Sequence, residues 1–422
     1  MFPLRLLLHR FVRRGHLSVI DHTGRRHEFG IRGTLPAATI RLHDPALYRR
    51  LALHPTLHVG RAYVDGTLTI AEGQLSDFLN LLLINEQLAS KTGSGALKRR
   101  LEELARLAAV VNPPERARRN VHHHYDHAAN FYRCFLDEDL QYSCAYFANE
   151  ALSLEEAQEA KKRHIAAKLD LRPGHRVLDI GCGFGGMALF LARNYDVQVT
   201  GITLSTEQLK TAQERAVKQG LTRLVDFRFE DYRQTRGPFD RIVSVGMFEH
   251  VGRPHYSQFF SRLGQLLADD GVAVVHTIGR QTLPMPINAW IRENIFPGAY
   301  LPTLSQLSPM LEKQDYWLAD FENLRLHYAL TLAEWNRRFQ RNVERIRAID
   351  PLRHDERFCR MWEFYLQACE AGFRHSGLTV FQLQLTKRID ALPITRDYMF
   401  SEERRLMAGE AGVPARTRMA GE

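Results

Sequence analysis

Between residues 172 and 280, apolar runs of strand length alternate with amphipathic runs of helix length. HRVLDIG (175–181) reads as a strand, GGMALFLARNY (185–195) as a helix and VQVTGITL (197–204) as a second strand. STEQLKTAQERAVKQG (205–220) has the 3.6-residue period of a surface helix, with Ser205 as N-cap, Gln208 at the capping-box position and Gly220 as its C-terminal stop. LVDFRFED (224–231), FDRIVSVG (239–246) and GVAVVHTIG (271–279) supply three more strands. Apolar strands separated by helices predict a parallel sheet, doubly wound by helices on both faces.

The flanking regions are patterned differently. HLSVIDHTGRRHEFGI (16–31) reads as strand, turn at Thr23-Gly24, strand. AATIRLHD (37–44) and VGRAYVDGTLTI (59–70) add strand candidates, the latter with a turn at Asp65-Gly66. LSDFLNLLLINEQLA (75–89) and ALKRRLEELARLAAVV (96–111) have helical spacing and are separated by the loop-like SKTGSG. NPPERARRN (112–120) marks a boundary, since Pro-Pro stops a helix and the charges suit a linker. Helical patterns return at TLAEWNRRFQRNVERIRAI (331–349) and ERFCRMWEFYLQACEAGFRHSG (356–377), and TVFQLQLTKR (379–388) reads as a last strand. The expected organisation is therefore an α+β N-terminal domain (1–111), a linker (112–120), an α/β domain (121–398) and a polar, disordered tail (399–422).

Charge sharpens this division. The chain carries a net charge of +9, and its first 50 residues hold ten Arg and no Lys against Asp21, Glu28 and Asp44. That excess favours an anionic partner. FPLRLLLHRFVRR (2–14) could lie as an amphipathic helix on a lipid surface or pack on its own domain. No glycine-aromatic RNP run accompanies the charge, so a nucleic-acid partner is not expected. No apolar run approaches the ~20 residues that span a bilayer. The N-terminus lacks a cleavage pattern, and the five cysteines lack metal-like spacing, which suits reduced thiols in a cytoplasmic protein. HHHYD (122–126) invites a metal assignment, but adjacent histidines on a helix point apart, so none is made.

Two stretches carry chemistry. VLDIGCGFGG (177–186) joins strand to helix and satisfies G-x-G-x-x-G through Gly181, Gly183 and Gly186. Asp179 ahead of the loop would repel a pyrophosphate but could hold a cationic amine. The next strand ends in Thr203 rather than the acid that grips a dinucleotide ribose. S-adenosylmethionine (SAM) carries an ammonium and no phosphate, and so fits better. FEDY (229–232) places Asp231 and Tyr232 at the third strand end, where an acid and an aromatic ring can meet adenine. The second stretch, SVGMFEHVG (244–252), delivers Glu249 and His250 just past a strand tip, where ligands bind in open α/β sheets.

Collinear stretches across roughly 120–390 resemble the cyclopropane-fatty-acid synthases, including the mycolic acid cyclopropane synthases. They are FYRCFLDEDLQYSCAYF (131–147), VLDIGCGFGG, YDVQVTGITLSTEQ (195–208), DRIVSVGMFEHVG (240–252), VVHTIG (274–279), IFPGAYLP (295–302) and HYALTLAEW (327–335). The resemblance implies a seven-stranded class I SAM-methyltransferase sheet with a helical lid. It implies transfer of the SAM methyl carbon to a cis double bond of a phospholipid acyl chain, closing a cyclopropane ring. A related methyl-branched product, or an inactive SAM- or lipid-binding relative, is the alternative. Bound bicarbonate would be the base, in a pocket of Cys144, Glu249, His276, Ile278 (through its backbone) and Tyr328, with His250 structural. SAM would contact Tyr142, Ser143, Asp179, Gly181, Gly183, Thr203, Gln208, Asp231 and Tyr232. The expected setting is the inner membrane face, with the basic N-terminal domain engaging anionic lipid and offering a homodimer contact.

Overall fold

The computed structural model describes residues 1–90 and 129–409. The helix expected over 96–111, the linker and the HHHYD run lie outside the described residues. The described chain forms two compact units, one from 1–90, 284–297 and 328–378, the other from 129–283, 298–327 and 379–409. The expected division was contiguous; here two late segments of the chain join the N-terminal unit.

The first unit is built on a four-stranded sheet, β1 (His16–Ile20), β2 (Arg26–Gly30), β3 (Ala37–Leu42) and β4 (Leu68–Glu72), in the order β2-β1-β3-β4. β1 and β2 form the expected hairpin, antiparallel around Thr23-Gly24. The Asp21 carboxylate fixes the turn by accepting from the Thr23 and Arg25 amides, both at 3.0 Å. The N-terminal helix Phe2–Phe11 buries Leu4 and Leu8, and Val12 follows on the same side, so its apolar stripe is packed within its own unit. One expected strand is corrected: VGRAYV belongs to the helix Pro55–Val64. Pro55 suits a first helical turn. Gly60 lets the helix approach Trp290, whose ring would lie 2.6 Å from an added Cβ. Trp290 in turn packs edge-on against Phe364 of the long helix Glu356–His375.

The second unit holds a seven-stranded sheet: β5 (Arg176–Ile180), β6 (Gln198–Thr203), β7 (Val225–Phe229), β8 (Phe239–Val245), β9 (Leu267–Arg280), β10 (Trp317–Asn323) and β11 (Leu378–Thr386). The order is β10-β11-β9-β8-β5-β6-β7. The pairs β5–β6, β6–β7, β5–β8 and β8–β9 are parallel, and β10–β11 is antiparallel. Val177, Leu178, Val243 and Val274 are fully buried between the helical layers. β10 escaped the sequence reading because it is an edge strand whose first three residues, Trp317–Ala319, are exposed. The helix Leu154–Leu169 was not among the expected elements, since its many charges mask the apolar period. Ser153 and Glu156 close a capping box at its start.

The expected disordered tail is corrected in part, since Asp397–Met407 is a helix. Its acids reach inward: Glu403 binds His164, and Glu402 accepts from Tyr195 at 2.5 Å. The cap of the helix Thr206–Lys218 also differs in detail. Ser205 accepts from the Gln208 amide, but the Gln208 side chain accepts from Thr203 Oγ1 at 2.9 Å rather than returning to the cap.

Candidate active site

Beyond the carboxyl ends of β5, β6, β7 and β8 lies an open cleft. It sits where strand order reverses, since β6 and β8 flank β5 on opposite sides. All nine residues expected to hold SAM line it: Tyr142, Ser143, Asp179, Gly181, Gly183, Thr203, Gln208, Asp231 and Tyr232. The glycine loop needs its glycines. Gly181 has φ +81°, and a Cβ there would sit 2.8 Å from that of Met247. At Gly186 a Cβ would lie 2.2 Å from the Gln141 amide nitrogen.

The charges around the cleft are paired except in one place. Asp231 is gripped by Arg233, Nε to Oδ1 at 2.9 Å and Nη2 to Oδ2 at 2.6 Å. Tyr232 stands edge-on to Phe259. Asp179 is 2% exposed, and its Oδ2 has no hydrogen-bond partner among the described residues. Burial pushes its pKa up to about 7, opposed by the Lys161 ammonium. A buried, unpaired carboxylate oxygen at the floor of a cleft is a receptor for a cation. The donor set therefore fits the SAM ammonium.

Sequence reasoning missed the groups beneath. Lys161 is fully buried and donates to Gln141 Oε1 at 2.6 Å and Ser143 Oγ at 2.8 Å, which fixes two residues of the cleft wall. Lys161, His164 and Lys168 recur at helical spacing on the helix Leu154–Leu169, and all three are buried. A basic stripe on one helix face was the available signal. His250, read as structural, lines the cleft, and burial lowers its pKa to about 4.

A second cluster forms at the tips of β8 and β9. Glu249, in a short 3-10 turn after β8, accepts from the Ile278 amide at 2.5 Å. Its Oε2 has no partner among the described residues, and burial pushes its pKa up to about 7. His276, two residues before Ile278 on β9, is 2% exposed. Gln382 Nε2 meets its Nδ1 at 3.1 Å. Burial, with the positive charges of Lys161, Lys168 and His164, holds His276 well below the usual imidazole range, so it is neutral. Cys144 is buried, with Sγ 3.3 Å from the Ala145 carbonyl, and interacts electrostatically with Lys161, as do Asp179 and His276. Glu249 and Ile278 are thus in direct contact, and Lys161 acts on both Cys144 and His276. Tyr328 belongs to the first unit, where it packs against Trp335 and Phe373. Among the described residues no cluster of His, Cys, Asp and Glu could hold a metal ion.

The strand order, the switch-point cleft and its glycine loop define a class I SAM-dependent methyltransferase. The family model for mycolic acid cyclopropane synthetase matches residues 113–383, and the chain belongs to that family. It is 36% identical over 370 residues to the cyclopropane-fatty-acyl-phospholipid synthase of Escherichia coli K12, covering 86% of this chain and 92% of the relative. It is 34% identical to a probable fatty acid methyltransferase of Pseudomonas putida, covering 87% and 93%. A mycolic acid cyclopropane synthase solved with SAH and CTAB is 33% identical, with a TM-score of 0.60, over 65% of this chain and 99% of that one. The protein is a SAM-dependent methyltransferase.

Proposed function

We propose that this enzyme closes cyclopropane rings on cis double bonds of phospholipid acyl chains, with a bound bicarbonate ion as base. The observation that carries the reading is the pair of buried groups at the β8 and β9 tips, the unpaired Glu249 oxygen and the neutral His276 ring. SAM supplies an electrophilic methyl carbon, which an alkene, a weak nucleophile, can attack. The nine cleft residues bind and orient it, with Asp179 opposite the ammonium and Asp231 and Tyr232 at the nucleoside end.

Bicarbonate suits the second cluster because it both donates and accepts. Its hydroxyl would donate to Glu249, and its oxygens would accept from His276. Glu249 is then a positioning group and not the base itself. Cys144 would complete the pocket, and Ile278 contributes through the amide that holds Glu249. The 34% identity to a probable fatty acid methyltransferase supports one second reading, a methyl-branched product from the same site.

Among the described residues no helix is long and apolar enough to cross a membrane. In this reading the arginine-rich first unit meets the substrate at the inner face of the bilayer and is also the candidate homodimer contact. Arg5, Arg25 and Arg26 gather around one surface recess there, with His9 and His27. The test is sedimentation with vesicles containing anionic phospholipid. Binding should weaken as salt rises and when Arg5→Glu and Arg25→Glu are combined. Binding indifferent to both would refute the electrostatic mode.

A further inference from the structure

The reaction as proposed uses His276 but does not explain what fixes its proton. Three neighbouring strands align the answer. His276 is on β9, Gln382 on the adjacent β11 and Glu322 on β10, paired directly with Gln382. From the helix Leu154–Leu169, Lys168 Nζ donates to Gln382 Oε1 at 2.8 Å and to Glu322. His164 bridges Glu322 and Glu403. Gln382 is wholly buried and Lys168 is 2% exposed, so water does not compete.

The chemistry of these groups leaves one arrangement. An ammonium only donates, so Lys168 must face the amide oxygen of Gln382. The amide NH2 is thereby turned toward His276, and it too can only donate. Nδ1 of the ring must therefore be the acceptor and carry no proton. A neutral imidazole has one proton, which then sits on Nε2. Lys161, Lys168 and His164 oppose a second proton, while Glu322 favours one, and burial settles the matter for the neutral ring.

We infer that Gln382 is a positioning residue: clamped by Lys168, it holds His276 as the Nε2–H tautomer, so the ring can serve the reaction only as a hydrogen-bond donor. The role in catalysis rests on the proposed function; the tautomer does not. A ring with Nδ1–H would present a lone pair to an anion, and the anion's oxygens would be repelled instead of held.

The test uses the full-length protein without ligand, labelled with nitrogen-15 histidine, and His276→Gln to assign the signal. In the wild type, Nε2 of His276 carries the proton and Nδ1 does not. In Gln382→Glu, one carboxylate oxygen still accepts from Lys168, while the other demands a proton from the ring. The tautomer then switches to Nδ1–H, and kcat for methyl transfer falls at least about tenfold with the KM for SAM unchanged. Lys168→Met provides a second route: the freed amide can turn, and both tautomers are populated. An Nδ1–H ring in the wild type, or the same tautomer in wild type and Gln382→Glu, overturns the inference. So does a switched tautomer with full kcat, which would make Gln382 a packing residue. A wild type that binds SAM but forms no product overturns the proposed function, and leaves the tautomer to be judged by its own spectrum.

Discussion

Replacing Glu249 by Gln should make the enzyme more stable and nearly inactive at the same time. The substitution keeps shape and volume and leaves an amide oxygen to accept from the Ile278 N–H, the bond now made at 2.5 Å. It removes a buried carboxylic acid whose pKa burial raises from 4.5 to about 7. At about 1.4 kcal/mol per pH unit, ionising that group in the folded protein costs about 3 kcal/mol once the pH is well above 7. A raised carboxyl pKa leaves stability intact below the unfolded value, near 4.5, and removes it as pH climbs through about 7. The advantage of Glu249→Gln over the wild type should therefore be below about 1 kcal/mol at pH 5 and grow to about 3 kcal/mol at pH 8. Urea denaturation at both pH values, followed by a probe of the methyltransferase unit, measures it. Turnover should fall by about 10²-fold or more, because an NH2 cannot accept the hydroxyl proton of the base. An advantage that does not change with pH would refute the burial argument, and a variant with wild-type turnover would refute the role.

Further outcomes follow from other parts of the molecule. Asp179, raised to about 7, is largely protonated at pH 6.5 in the free enzyme; an arriving ammonium favours its ionised form, so SAM binding should release protons at pH 6.5, and the release should shrink as pH rises through about 7. Calorimetry in buffers of different ionisation enthalpy reads this directly, and Asp179→Asn should abolish the release and weaken binding about tenfold. Gly60→Ala places a Cβ against the Trp290 ring and should cost about 1–3 kcal/mol, read as a lower denaturation midpoint of the first unit with SAM affinity unchanged.

The strands that face helices on both sides were legible in the sequence because complete burial leaves continuous apolar runs, as in β5, β8 and β9. The glycine loop was equally plain, since its positions are constrained by backbone geometry that few other residues satisfy. What escaped had the opposite character. VGRAYV was ambiguous because a short apolar run with small residues suits a buried helix as well as a strand. Lys161 and Lys168 looked like surface lysines, and only the tertiary structure shows that Gln141, Ser143, Gln382 and Glu322 satisfy them. The tail helix Asp397–Met407 was polar in sequence because its acids are used, with Glu402 and Glu403 reaching Tyr195 and His164. Cys144, Glu249 and His276 are separated along the chain by distances no local pattern bridges, and only resemblance to relatives grouped them in advance.

The most direct test of the account is mass spectrometry of lipids recovered after incubating purified enzyme with SAM, bicarbonate and vesicles of cis-monounsaturated phospholipid. The expected product is heavier by one CH2, has lost its olefinic signals and shows a ring in its NMR spectrum. A methyl-branched olefin, or no new lipid from an enzyme that binds SAM, would contradict it.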